Sequence, residues 1–125
     1  MGNPVGWFEI YVDDMDRARG FYQAVLKVEL EKLDNPTDTP MEMWAFGSDM
    51  EAYGASGALV KMDDCKAGGN STVVYFSCQD CAEEASRVES AGGTLLCDKM
   101  PIGEYGFIAL ARDSEGNQFG LHSHS

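Results

Sequence analysis

Three groups of residues in this chain could do chemistry. Glu9 stands two residues from Trp7 and two from Tyr11 in WFEIY, so strand alternation puts all three on one face. A carboxylate held between aromatics on a half-buried face is costly unless paired or hydrogen-bonded. Glu9 therefore reads either as a general base or ligand anchor, or as the partner of a buried hydroxyl or Arg. His122 in LHSHS offers an imidazole that could face the same interior; the fraying of termini favours a solvated HSHS tail instead. CQDC, residues 78–81, has the CxxC spacing of redox and zinc motifs, but no second CxxC or CxxH accompanies it. With Asp80 beside them, Cys78 and Cys81 read as small hydrophobes rather than reactive thiols.

The elements that must position these residues are written twice. Residues 5–12, VGWFEIYV, alternate as a strand with Phe8, Ile10 and Val12 on one face and Trp7, Glu9 and Tyr11 on the other. Asp13 and Asp14 supply N-cap oxygens, and Met15, Ala18, Phe21, Tyr22, Val25 and Leu26 recur at helical spacing to about Val28. Strands are expected at residues 30–33, 42–46 and 58–62, with a loop at 36–40. From Ser71 the order restarts: the strand STVVYFSC, the cap Asp80 with Glu83 at capping-box spacing, a helix stripe of Cys81, Ala85 and Val88, and the terminators Gly92 and Gly93. Strands at 94–97, 107–111 and 119–121 complete it, with DSEGN as a hairpin turn. An α+β chain of two βαβββ modules, 1–65 and 71–125, joined by KAGGNS within a single domain, accounts for all 125 residues.

Composition narrows the partners. Nine Lys and Arg against 21 Asp and Glu give a formal charge of −12, which repels nucleic acid and anionic membranes. No window approaches a membrane span, no basic leader opens the chain, and four cysteines are too few for a stapled secreted scaffold, so a cytoplasmic location is expected.

The run VDDMDRARGFYQAVL, followed by AGGTLL and YGFIALARDSEGNQFGL in duplicated order, resembles the vicinal oxygen chelate superfamily of glyoxalase, bleomycin-resistance and extradiol-dioxygenase proteins. PVGWFEIYVDD, SGALVK and DSEGNQFGL resemble most its bacterial branch related to lactoylglutathione lyase. The resemblance implies paired half-barrels around a cavity, often shared within a homodimer. It also implies a divalent ion held by a His or similar ligand on the first strand of each half and a Glu on the last strand of each half. Carried onto this chain, those positions are Trp7, Val73, Gly120 and a residue within 57–61.

Indole offers only an N–H, Val and Gly side chains have no lone pair, and GALVK has no carboxylate or imidazole. Glu9 lies roughly 6.6 Å along the strand from Trp7, beyond the slack of metal bonds of about 2.1 Å. The expectation is therefore a protein that binds a small organic molecule without metal or other cofactor. Glu9 is its catalytic or anchoring residue, and Trp7, Tyr11, Trp44, Tyr75, Tyr105, Gln118 and His122 are its binding residues. The alternative is a metal-dependent lyase or isomerase whose displaced ligands are Glu9 and His122. A module with a filled barrel and no pocket is a third reading. Met41, Met43, Trp44 and Phe46 would line the pocket or a dimer interface. Tyr105 and Phe107 would lie at its rim.

Overall fold

The computed structural model describes residues 3–35, 37–47, 49, 51, 54–69 and 71–125. Along them run eight strands and two α-helices in the order βαβββ, twice. The first set is β1 (Val5–Tyr11), α1 (Met15–Leu26), β2 (Glu31–Leu33), β3 (Glu42–Ala45) and β4 (Ser56–Lys61). The second is β5 (Thr72–Ser77), α2 (Cys81–Arg87), β6 (Thr94–Pro101), β7 (Phe107–Arg112) and β8 (Gln118–Ser123), with a 3-10 turn at Gly103–Tyr105 before β7. The chain divides into two compact units, Phe8–Thr72 and Met1–Trp7 with Val73–Ser125, the boundary cutting β1 after Trp7. Pro36 of the expected loop and Asn70 of KAGGNS lie outside the described residues, as does the side chain of Val25.

In the Phe8–Thr72 unit, β2 pairs with β3 and β3 with β4, both antiparallel, setting Trp44 opposite Leu59 and Met43 opposite Val60. Asp14 is the N-cap of α1 and accepts from the Arg17 N–H at 3.0 Å, leaving Asp13 to accept from the Ala67 N–H. The helix stops at Lys27, which adopts the left-handed conformation at φ 55. Met15 of α1 packs with Val12, Leu30 and Leu59, and Ile10, Ala18, Tyr22, Trp44 and Phe46 close around them. Fully burying a side chain such as Leu59, which is 0% exposed, contributes about 1.5–3 kcal/mol. Phe8 lies across Gly57, where an added Cβ would strike the Phe8 carbonyl oxygen and ring, so only glycine permits this crossing.

In the other unit, β5 runs parallel to β8, while β8 with β7 and β7 with β6 are antiparallel. Asp80 caps α2 through the Ala82 N–H at 3.0 Å, and the Glu83 N–H goes to the Asp80 carbonyl, so the cap side chain reaches one residue short of the capping-box position. Asp80 also accepts from Lys99 Nζ at 2.8 Å, and these two bonds, Lys99 first, hold its carboxyl below the usual carboxylate range. Cys81 and Ala85 pack against Ala109 and Leu121, with Phe76, Cys78, Leu95, Phe107 and Phe119 around them. Cys81 is fully buried and Cys78 lines the same cluster, the apolar role read from CQDC. No helix of the described residues is long and apolar enough to cross a membrane.

Candidate functional site

The packing of Ile10 and Val12 under α1 turns Glu9 and Tyr11 to the opposite face of β1. There the Tyr11 hydroxyl donates to Glu9 Oε1 at 2.9 Å. Burial, then the Glu9 charge and this bond, and last Cys65, raise the Tyr11 pKa far above that of a free phenol. The phenol is thus held protonated and donating at any physiological pH. Burial foremost, then the charges of Asp64 and Glu9, also raises the pKa of the Cys65 thiol. Cys65 follows the end of β4, where no strand parity applied in the sequence, and an isolated bridge pairs it with Met62.

Trp44 lies elsewhere. It belongs to the cluster under α1, where the Arg19 guanidinium stacks 3.5 Å from its ring centroid and its indole N–H donates to Glu42 Oε2 at 2.8 Å. Its partner across the ladder, Leu59, shares that face. Trp44 is thereby occupied with holding α1, on the face of β1–β4 away from Glu9.

In the second unit Val73 and Tyr75 are buried and alternate with Phe76 of the α2 cluster. Tyr75 sits opposite Gly120, and a Cβ at residue 120 would run into the Tyr75 ring, with Cγ at 2.9 Å. The aromatic ring therefore occupies the space a side chain at that position would need. Gln118 and His122 share the Gly120 face, both partly buried. His122 is not part of a solvated tail: β8 continues through Ser123, which is 1% exposed. Its Nε2 lies 2.6 Å from the Tyr105 carbonyl, and its ring meets His124 edge-on at 4.9 Å between centroids. Tyr105 is more than a third exposed on the 3-10 turn and takes part in this contact through its backbone.

The positions that the resemblance assigns to metal ligands are an indole, a buried valine and a glycine filled by an aromatic ring, with Gly57, Ala58, Leu59, Val60 and Lys61 supplying no carboxylate or imidazole. Among the described residues no three His, Cys, Asp or Glu gather into a group able to hold an ion. This donor set does not fit a divalent metal.

Two βαβββ modules of this kind define an α+β fold shared with solved structures. The mycobacterial methylmalonyl-CoA epimerase (Mycobacterium tuberculosis) superposes with a TM-score of 0.70 at 17% identity, covering 98% of this chain and 88% of its own. The Bacillus halodurans hypothetical protein BH1468 gives 0.74 at 14% identity, covering 100% and 96%. The Streptomyces coelicolor epimerase in complex with 2-nitronate-propionyl-CoA gives 0.68 at 15%, covering 97% and 94%. Residues 5–121 match the family model of the Glyoxalase/Bleomycin resistance protein/Dioxygenase superfamily, and the chain belongs to that superfamily. It is 26% identical over 125 residues to the proteins named "Putative glyoxylase CFP32" in Mycobacterium bovis and Mycobacterium tuberculosis. The match takes in 92% of this chain and 42% of those proteins, so the chain spans about two-fifths of their length.

Proposed function

We propose that this protein binds a small hydroxyl- or amine-bearing organic molecule at Glu9 and does so without a bound metal ion. The observation that carries the reading is the Tyr11–Glu9 hydrogen bond of 2.9 Å on the face away from α1. A phenol locked in its protonated form gives Glu9 a fixed direction, and a carboxylate so oriented can take a hydrogen bond from a ligand donor at little further ordering cost. We propose further that the modules 1–65 and 71–125 form one domain, that the chain acts in the cytoplasm, and that it works as a homodimer.

The test is a thermal-shift and tryptophan-fluorescence titration with catechol, benzylamine and methylmalonyl-CoA. At least one raises the Tm of the wild-type protein saturably, Glu9→Gln reduces that gain, and Tyr11→Phe reduces it less. Equal gains in wild type and Glu9→Gln would refute Glu9 as the anchor.

A second reading, turnover of a lyase or isomerase kind, draws support from the glyoxylase and epimerase names of similar proteins. In it the Glu9 carboxylate takes a proton from a carbon next to a carbonyl, and the electron pair left behind moves onto the carbonyl oxygen. Loss of the α-proton of methylmalonyl-CoA in deuterium oxide, abolished by Glu9→Gln, would support it.

A further inference from the structure

Helix α1 turns Met15, Ala18 and Tyr22 to the sheet, and Phe21 stands at the edge of that stripe, 59% exposed. It is the most exposed of the large apolar side chains among the described residues. Its ring meets the Tyr22 ring edge-on at 5.1 Å between centroids, a contact that braces one side of it. Beside it lies an open groove of about 380 Å³, lined by Val12, Asp13, Asp14, Arg17, Ala18 and Phe21. Its two carboxylates are each held by a backbone donor, Asp13 by the Ala67 N–H and Asp14 by the Arg17 N–H. Asp14, Arg17, Ala18 and Phe21 are spaced i, i+3, i+4 and i+7, the four positions that surround the socket for one large side chain of a facing helix.

The helix carries its own occupant for that socket. The centre of the four positions falls between Arg17 and Ala18, one turn N-terminal to Phe21. An antiparallel copy of α1, related by a two-fold axis passing near residues 19 and 20, therefore puts Phe21 of each chain into the socket of the other. In that arrangement the Arg17 guanidinium of one copy lies over the Phe21 ring of the other. Lys27, the C-cap of one helix, falls beside Asp13 and Asp14 at the start of the other, with the two helix dipoles opposed. Arg17 and Lys27 are both exposed, and neither is in an ion pair among the described residues, in a chain with 21 acidic side chains against nine basic ones.

We propose that this face of α1, with Phe21 as the inserted side chain and residues 14, 17, 18 and 21 as the socket, is the surface through which two copies of the chain associate. The interface rests on the homodimer proposed above and names its contact face. Self-matching favours a second copy over an unrelated partner: one short helix holds both the apolar side chain and the socket that receives it, and both an acidic start and a basic end. Leu26, 53% exposed, follows Phe21 by five residues, about 140° around the helix, and stays outside the contact.

The test is sedimentation equilibrium of the full chain over a range of concentrations, with circular dichroism to check that each variant keeps its fold. Wild type should show a monomer–dimer equilibrium with a Kd of roughly 1–100 μM, as a contact of one helix from each chain implies. Phe21→Ser should raise the Kd at least about thirtyfold, because the substitution is felt twice across a two-fold axis. Arg17→Glu should raise it about tenfold, and Leu26→Ser should leave it within about twofold. A wild type that stays monomeric at about 1 mM would overturn both this interface and the homodimer. A dimer unmoved by Phe21→Ser and Arg17→Glu, or weakened as much by Leu26→Ser as by Phe21→Ser, would overturn the interface and leave the homodimer standing. If Phe21→Ser does not fold, Arg17→Glu set against Leu26→Ser decides it alone.

Discussion

Gly120→Ala is the substitution whose consequence the structure fixes most closely. A methyl group at residue 120 would press on the Tyr75 ring at Cδ2 and Cε2, with Cγ at 2.9 Å, and Tyr75 is only 5% exposed, so the ring has little room to turn away. Overpacking of this kind costs about 1–3 kcal/mol. The reduced freedom of the unfolded chain returns about 0.4–1 kcal/mol, which leaves a net loss of about 1–2 kcal/mol. Over 125 residues the unfolding entropy is about 260 cal/mol/K, so the Tm should fall by about 4–8 °C in a calorimetric or circular-dichroism melt. The same substitution in a Tyr75→Leu background should cost almost nothing, giving a coupling energy of about 1 kcal/mol or more. A Gly120→Ala protein as stable as wild type, or losses that simply add in the double variant, would refute the claim that the ring fills this position.

Gly57→Ala should be worse than Gly120→Ala, because the group it meets includes the Phe8 backbone carbonyl, which cannot rotate aside; a larger Tm drop in the same melt checks this. Tyr11 has a folded pKa above its unfolded value near 10, so its contribution to stability is complete below about pH 10 and declines as pH rises further. Tyr11→Phe should flatten that alkaline decline in urea melts taken across pH 9–11. Cys78, pushed up to about 11, should react with iodoacetamide at pH 8 roughly tenfold or more slowly than free cysteine, as peptide mapping of the folded protein would show.

The parts of this fold that sequence disclosed are those whose signal is periodic. Period two in WFEIYV separated the Glu9–Tyr11 face from the Ile10–Val12 face, and the packing under α1 keeps that division. The aspartates that start both helices were visible for the same local reason, since Asp14 and Asp80 each bond a backbone N–H within their own first turn. Boundaries set by tertiary contacts were not legible. The short α2 ends at Arg87, well before Gly92 and Gly93, and β6 runs on to Pro101, past the expected 97, with two register irregularities. The last strand was legible at 119–121 but not its end: it runs on to Ser123, whose buried hydroxyl accepts from the Cys81 N–H at 3.0 Å, a satisfaction that no hydropathy pattern records. For Trp44, strand parity was available, but which face of β3 met α1 depended on the register with Leu59 and on Arg19 from the helix.

The account rests on the inability of Trp7, Val73 and Gly120 to donate electron pairs to a cation. Elemental analysis of the protein, purified without a polyhistidine tag and dialysed against metal-free buffer, bears on it directly. The prediction is Ni, Zn, Mn and Fe contents far below one ion per chain, the same in wild type and Glu9→Ala. Close to one ion per chain in wild type, lost in Glu9→Ala, would contradict it.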